Sequence, residues 1–284
     1  MKKFLSIFTL LLLAICSFAQ EAYKPENLFL LIDEQSISTR TKSVSDFSEY
    51  VQRLNAAAEE ALKNSPAEPA GAVITVAVRP EQSVKVWAAT EPAISAETIT
   101  KLEEALTKVP TCSVKHSVVP FAISASLWGG TVPEEMPNPL KEELENHELP
   151  ETASMDDIIN IVWPASKAQV QAEKKYILDL IDRFRSDKDL STENLKNYAD
   201  ILRFAQSSND VTVTIGDDSI PSDDQSVQEY GQLFLLSFIA GNVEYQLKHN
   251  EKQDAKKAGI DFEKAKYKQL KKINKSVKIK FLER

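Results

Sequence analysis

Glycine is scarce in this chain, with seven in 284 residues, where an ordinary protein carries about 7%. Phosphate-cradling loops and dinucleotide turns need glycine wherever backbone must approach a ligand or take a positive φ. Only Gly129 and Gly130 are close neighbours, so neither nucleotide-binding class fits. Histidine is nearly missing as well. His116, His147 and His249 lie far apart, and His147-Glu148-Leu149-Pro150-Glu151 opens like a zinc-protease helix but lacks the second histidine and contains a helix-breaking proline. The hydrolase turn G-x-S-x-G is absent, and Ser126 ahead of Leu127-Trp128-Gly129-Gly130 is the nearest approximation. The sequence therefore offers no catalytic residue, no cofactor-binding residue and no metal ligand by motif.

Cysteine is limited to Cys16 and Cys112. Lys2 and Lys3, the apolar run Phe4 to Cys16 and the small residues Ser17 and Ala19 flanking Phe18 are identified as a secretory signal peptide, residues 1–19, cleaved after Ala19. The run is too short to span a hydrocarbon core, which takes about 20 residues. Bulky Ile15 before Cys16 argues against lipid attachment there. Cleavage leaves Cys112 as the sole thiol, so an intramolecular disulfide is excluded in a compartment that would permit one. With no His or Lys clearly placed to activate it, Cys112 reads as an ordinary unpaired thiol. The expected location is the periplasm or the exterior.

Charge is unevenly spread. Residues 246–284 hold 13 Lys/Arg against 5 Asp/Glu, a net of +8, and the rest of the chain is at −16. An acidic body argues against nucleic acid, whose binding is driven by basic surfaces that displace counterions.

The periodicity predicts an α+β protein. Phe47, Val51, Leu54, Ala58, Ala61 and Leu62 make one helical face behind the capping pair Ser43 and Asp46. Val73 to Val78 and Val84 to Ala88 read as a hairpin. Ser95 caps a helix carrying Ile99, Leu102, Leu106 and Val109, and Pro110 ends it. A third strand alternates between about Val114 and Trp128, with Pro120 marking a bulge or an edge. Together these give a small mixed sheet with helices, in the order strand, strand, helix, strand, over a first domain of residues 20–130.

Gly71-Ala72-Val73-Ile74-Thr75-Val76-Ala77-Val78, the helix ending Ala105-Leu106-Thr107-Lys108-Val109-Pro110, and Val118-Val119-Pro120-Phe121 resemble the C-terminal module of TonB-type envelope proteins, over residues 70–128. That resemblance implies a contact with a partner protein in the envelope.

Residues 131–165 hold five prolines and nine acids against the single Lys141, which reads as a mostly extended acidic linker. Within it Ile158 to Trp163 form an apolar knot expected to dock on one of the domains. Residues 166–284 read as a mainly helical domain with a basic C-terminus. Its stripes are Tyr176 to Phe184 and Leu195 to Ala205, followed by a nearly all-apolar helix over about 225–249. Val211 to Ile215 and Val277 to Phe281 alternate like strands that could pair.

Three features remain as candidate sites. Asp217, Asp218, Asp223 and Asp224 share a loop of the kind calcium favours, though without the EF-hand spacing; a solvated turn leading into a helix N-terminus is the simpler reading. Of Trp87, Trp128 and Trp163, the first reads as core and Trp128, beside two glycines, as an interaction surface. A helix from about residue 261 sets Phe262, Ala265, Leu270, Ile273 and Val277 on one side. Lys264, Lys268, Lys271 and Lys275 fall on the other, a pattern that suits an anionic membrane surface, an acidic partner, or the chain's own acidic body. The functional expectation is an exported, non-catalytic protein-binding or accessory module. An envelope hydrolase without a linear motif and a membrane-peripheral protein are the alternatives.

Overall fold

The computed structural model describes residues 21–132, 134, 137–145, 147–149, 153–216, 225–279 and 281–283. Residues 1–19, expected to be a signal peptide, and the acidic loop from Asp217 to Asp224 lie outside them.

The chain enters on strand β1 (Tyr23–Leu30), then runs through α1 (Glu34–Arg40) and α2 (Val44–Leu62) into the hairpin β2 (Ala70–Arg79) and β3 (Ser83–Glu91). Helix α3 (Ala96–Thr107) leads to β4 (Val119–Leu127). The four strands lie in the order β1-β4-β2-β3, and every ladder is antiparallel, so the sheet is not the mixed one expected. The fold class is α+β as read from the pattern. Ser43 and Ser95 cap α2 and α3 by accepting from Asp46 N and Thr98 N, each a contribution of about 1 kcal/mol.

Period-2 side chains decide which face is core. Ile74, Val76 and Val78 of β2 and Phe121, Ile123, Ala125 and Leu127 of β4 point at Phe47, Tyr50 and Leu54 of α2 and Leu102 and Leu106 of α3. Phe121 takes Phe47 and Tyr50 edge-on, with centroids 5.1 and 6.1 Å away. Pro120 stands one residue beyond the last β1 pair, Leu30 with Phe121, so its missing N–H loses nothing on that side.

Both faces of β2 and β4 are buried, because the opposite face is covered too. The segment read as an extended linker does this. It contains α4 (Lys141–Leu144) and α5 (Met155–Val162), and lays Leu140 and Ile159 on Ala77, Trp87 and Val118. Composition misled here because few apolar residues are needed to close one side of a narrow sheet, while the acids stay in water. The Ile158 to Trp163 knot docks as expected, as a helix with a capping box at Ser154 and Asp157.

The C-terminal half comprises α6 (Lys167–Ser186), α7 (Thr192–Leu195) with a 3₁₀ turn (Lys196–Tyr198), α8 (Ala199–Ser207), α9 (Gln225–His249) and α10 (Lys256–Ile273). Its core gathers Phe184, Ile201, Phe234, Phe238, Ile239, Phe262 and Leu270. Helices α9 and α10 cross closely at two glycines: a Cβ on Gly259 would come within 2.6 Å of the Phe238 ring, and one on Gly241 within 2.4 Å of Ala258 O.

Neither alternating segment of this half is a strand. Thr212 finds its ladder partner in a side chain instead, donating its N–H to Gln246 Oε1 (2.9 Å) and accepting from Gln246 Nε2 (2.8 Å). Near the C-terminus Tyr267 Oη accepts from Ile279 N at 3.1 Å. Side chains thus satisfy the backbone that a strand partner would have taken.

Candidate functional site

A cleft runs where α5 and the two halves meet. Its first wall is α1, whose buried residues Ser36, Ile37 and Arg40 are mainly polar. Arg40 is 3% exposed and makes a two-pronged bond to Asp156 of α5, Nη1 to Oδ1 at 2.9 Å and Nη2 to Oδ2 at 2.7 Å. Nη1 also donates to Val118 O at 2.6 Å. Burial alone would pull this guanidinium down, and the Asp156 bond and charge hold it up.

Behind that clamp lies a sealed stack. His116, 2% exposed, lies flat on Tyr176 of α6 with centroids 3.6 Å apart. Tyr176 Oη donates to Asp200 Oδ2 at 3.0 Å, and Arg203 bridges Asp200 (2.6 Å) to Asp33 (3.0 Å) across the two halves. Ser117, at φ 56°, sits 3.4 Å from His116 Nδ1, and His116 Nε2 is 3.7 Å from Asp200. Those three residue types in that order suggest a hydrolytic relay. The chemistry argues otherwise: Ser117 Oγ donates to Glu173 Oε1 at 2.5 Å, and burial pulls the imidazole to about 4, far from the range of an effective base at neutral pH.

A second arginine lines a neighbouring hollow on the other side of α5. Arg79, at the end of β2, is 4% exposed. It donates through Nη2 to Asn160 Oδ1 (2.7 Å) and Trp163 O (2.9 Å), and lies 4.9 Å over the Trp163 ring. Burial lowers it below the ordinary arginine value against the opposing charges of Glu173 and Asp156. The surrounding hollow, about 410 Å³, is also lined by Ser117, Asp157, Glu173 and Asp210. Apart from Trp163, none of these residues was singled out from the sequence, because a scan for apolar periodicity passes over buried polar positions.

The residues that were singled out fall elsewhere. Trp128 is 4% exposed and packs in the sheet core, so it offers no interaction surface. Its positive φ of 45° turns the chain and places its ring inward. Ser126 is buried and donates to Gly130 O at 2.5 Å. Cys112 is buried, with its thiol pushed up to about 11. Trp87 is buried as expected, but on the face that α5 covers.

On α10 the buried stripe is Phe262, Glu263, Lys266, Tyr267 and Leu270, which leaves Ala265 and Ile273 exposed. Val277 lies beyond the helix, which ends at Ile273. Lys268 and Lys275 are exposed, Lys264 is half-buried, and Lys271 pairs with Glu283 at 2.8 Å. Lys275, like Val277, lies past the end of the helix, and the buried stripe of α10 is rotated from the expected one. Lys266, unremarked in the sequence, is buried and reaches Asp187 O at 3.0 Å.

A third feature is the outer edge of β1. Among the described residues the strand pairs only with β4, and every residue after Tyr23 is exposed. Leu28, Phe29 and Leu30 are 44%, 36% and 37% exposed. Pro25 and the irregularity between Pro25 and Asn27 blunt the first half of this edge, and the second half carries no such protection.

Among the described residues no group of three or more His, Cys, Asp or Glu side chains is placed to hold a metal ion, and no helix is long and apolar enough to cross a membrane. Comparison with protein-family models, with curated proteins and with solved structures finds no match.

Proposed function

We propose that the protein is an exported, non-catalytic binding module that takes an extended segment of a partner envelope protein onto the free edge of β1. The exposed run Leu28-Phe29-Leu30 on an unprotected edge strand carries the reading. An edge strand offers a row of unpaired N–H and C=O groups, and an added strand gains those bonds plus apolar burial. Covering three large side chains that are already partly buried contributes about 1 kcal/mol each. The N-terminal export signal and the TonB-type resemblance of residues 70–128 point the same way.

The test is chemical cross-linking of the tagged protein in its native envelope, with mass spectrometry of what is captured. One dominant partner is expected from the natural chain and none from the Leu28→Lys, Leu30→Lys double variant. Capture of copies of this chain alone would replace the partner reading with self-association.

A second reading has its own observation. Ile273 is 64% exposed at the end of α10, next to Lys272 and near Lys268 and Lys275. An apolar side chain ringed by lysines suits an anionic membrane surface. Cosedimentation with anionic liposomes, abolished when Lys264, Lys268, Lys271 and Lys275 become Gln, would support it. Absence of binding at low salt would end it.

A further inference from the structure

Two buried arginines flank α5 in neighbouring hollows, and only one has a carboxylate bonded to it. Arg40 is neutralised by Asp156 in a matched two-pronged bond. Arg79 is as deeply buried, yet its acceptors are an amide oxygen and a backbone carbonyl, both on Nη2. Its Nε is buried with no acceptor, and no carboxylate among the described residues lies within ion-pair distance. A guanidinium withdrawn from water with no carboxylate bonded to it, only the more distant charges of Glu173 and Asp156, is costly, and an anion from outside is one remedy. The stack on Trp163 and the bonds to Asn160 and Trp163 hold the planar fork in place beforehand.

The rest of the hollow has the opposite sign. Asp210 is engaged by Lys174 at 2.9 Å, Asp156 by Arg40, and Asp157 Oδ2 accepts from Ser154 N and Oγ, which leaves Glu173 facing the space. Glu173 spends one oxygen on the Ser117 hydroxyl, and its carboxyl stands above the ordinary value because of burial. A plain anion would meet these carboxyls unfavourably. A ligand with an ammonium at one end would satisfy both signs.

We infer that the cleft between β2, α5 and α6 binds a compact zwitterion, a free α-amino acid or a short peptide, with its carboxylate on Arg79 and its ammonium on Glu173. A hollow of about 410 Å³ admits either. This site is separate from the β1 edge and does not depend on it.

Titration of the mature chain with alanine, alanyl-alanine, acetate and ethylamine, followed by calorimetry and ligand-observed NMR, tests the inference. At least one zwitterion binds, about tenfold or more tighter than acetate, and ethylamine does not saturate. A preference for alanine marks a free amino acid as the ligand class, and a preference for the dipeptide marks a peptide. Glu173→Gln brings zwitterion affinity down to that of acetate, and Arg79→Gln abolishes both. Glu173 lies at the surface of α6 and is only half-buried, so its variant carries the test if Arg79→Gln does not fold. Equal binding of acetate and both zwitterions, zwitterion affinity unchanged in Glu173→Gln, or no binding of any probe at about 100 mM overturns the site.

Discussion

The sheet half and the helical half solve the same burial problem with different materials. Under α2 and α3 the core is apolar but for Thr98 and the Tyr50 hydroxyl, with Phe121 held edge-on between Phe47 and Tyr50. Between α9 and α10 the interior also admits Asn242, Gln246, Glu263 and Lys266. Gln246 and Lys266 are used, one pairing with Thr212 and the other reaching Asp187 O. Glu263 is fully buried with both carboxyl oxygens unpartnered. A sheet sorts side chains by strict alternation, so a polar residue falls on a predictable face, whereas a helix can turn a polar residue inward with a small rotation.

The largest expected effect is on the sheet core. Phe121→Ala removes a fully buried ring from two aromatic contacts and costs about 3–5 kcal/mol in urea unfolding. All three tryptophans belong to the sheet half and its cover. Their fluorescence therefore reports that half, and the helical signal in circular dichroism reports mainly the other. The two transitions are expected to shift together, because the His116–Tyr176 stack, the Ser117–Glu173 bond and the Arg203–Asp33 pair tie the halves. Separate midpoints in the natural chain would show that the tie is weak.

Asp156→Ala attacks the clamp that holds α5 on the sheet half. It strands Arg40, and removing one partner of a buried pair costs about 3–5 kcal/mol. Asp156 is 19% exposed, which puts the expectation at the lower end of that range. The fluorescence midpoint, which reports the sheet half and its cover, should fall in this variant; an unmoved midpoint would show that the clamp does not hold α5 in place.

The two halves should also respond oppositely to pH. Glu263 is raised from 4.5 to about 9 by burial. The unfolded chain gives up that proton far sooner than the folded one, so the helical half loses stability as pH rises through that window. Glu263→Gln is expected to flatten this slope and to stabilise at pH 8 by about 1–3 kcal/mol. His116 is lowered from 6.5 to about 4, by burial first. The unfolded chain takes up that proton sooner, so the contact between halves weakens as pH falls from 6.5 towards 4. His116→Phe, which keeps a ring on Tyr176, should remove the acid slope and leave the alkaline one. Melting temperatures across pH 4 to 9 read both.

The smallest effect is kinetic. The Cys112 thiol, buried and pushed up to about 11, should react with a thiol reagent only as fast as the sheet half opens. Rapid labelling of the native chain would mean that the loop after α3 opens on its own.

Much of the sheet half was legible in the sequence. The α2 stripe, the β2–β3 hairpin, the Ser95 cap and the β4 alternation all follow from local periodicity. Strand β1 was not legible, since an edge strand exposed on both faces has no alternation to read. The cover formed by α4 and α5 was hidden by its acids, and the face of α10 by Glu263 and Lys266. The cleft was invisible for a related reason: Arg40, Arg79, Ser117 and Glu173 are 133 residues apart at their extremes, and only the packing of α5 and α6 brings them together.

The most direct test of strand addition is amide hydrogen exchange on β1, with and without the partner captured from the envelope. The account predicts that amides between Asn27 and Leu30 gain protection when the partner binds, with α10 unchanged. Protection confined to α10, with β1 exchanging as in the free protein, would contradict it.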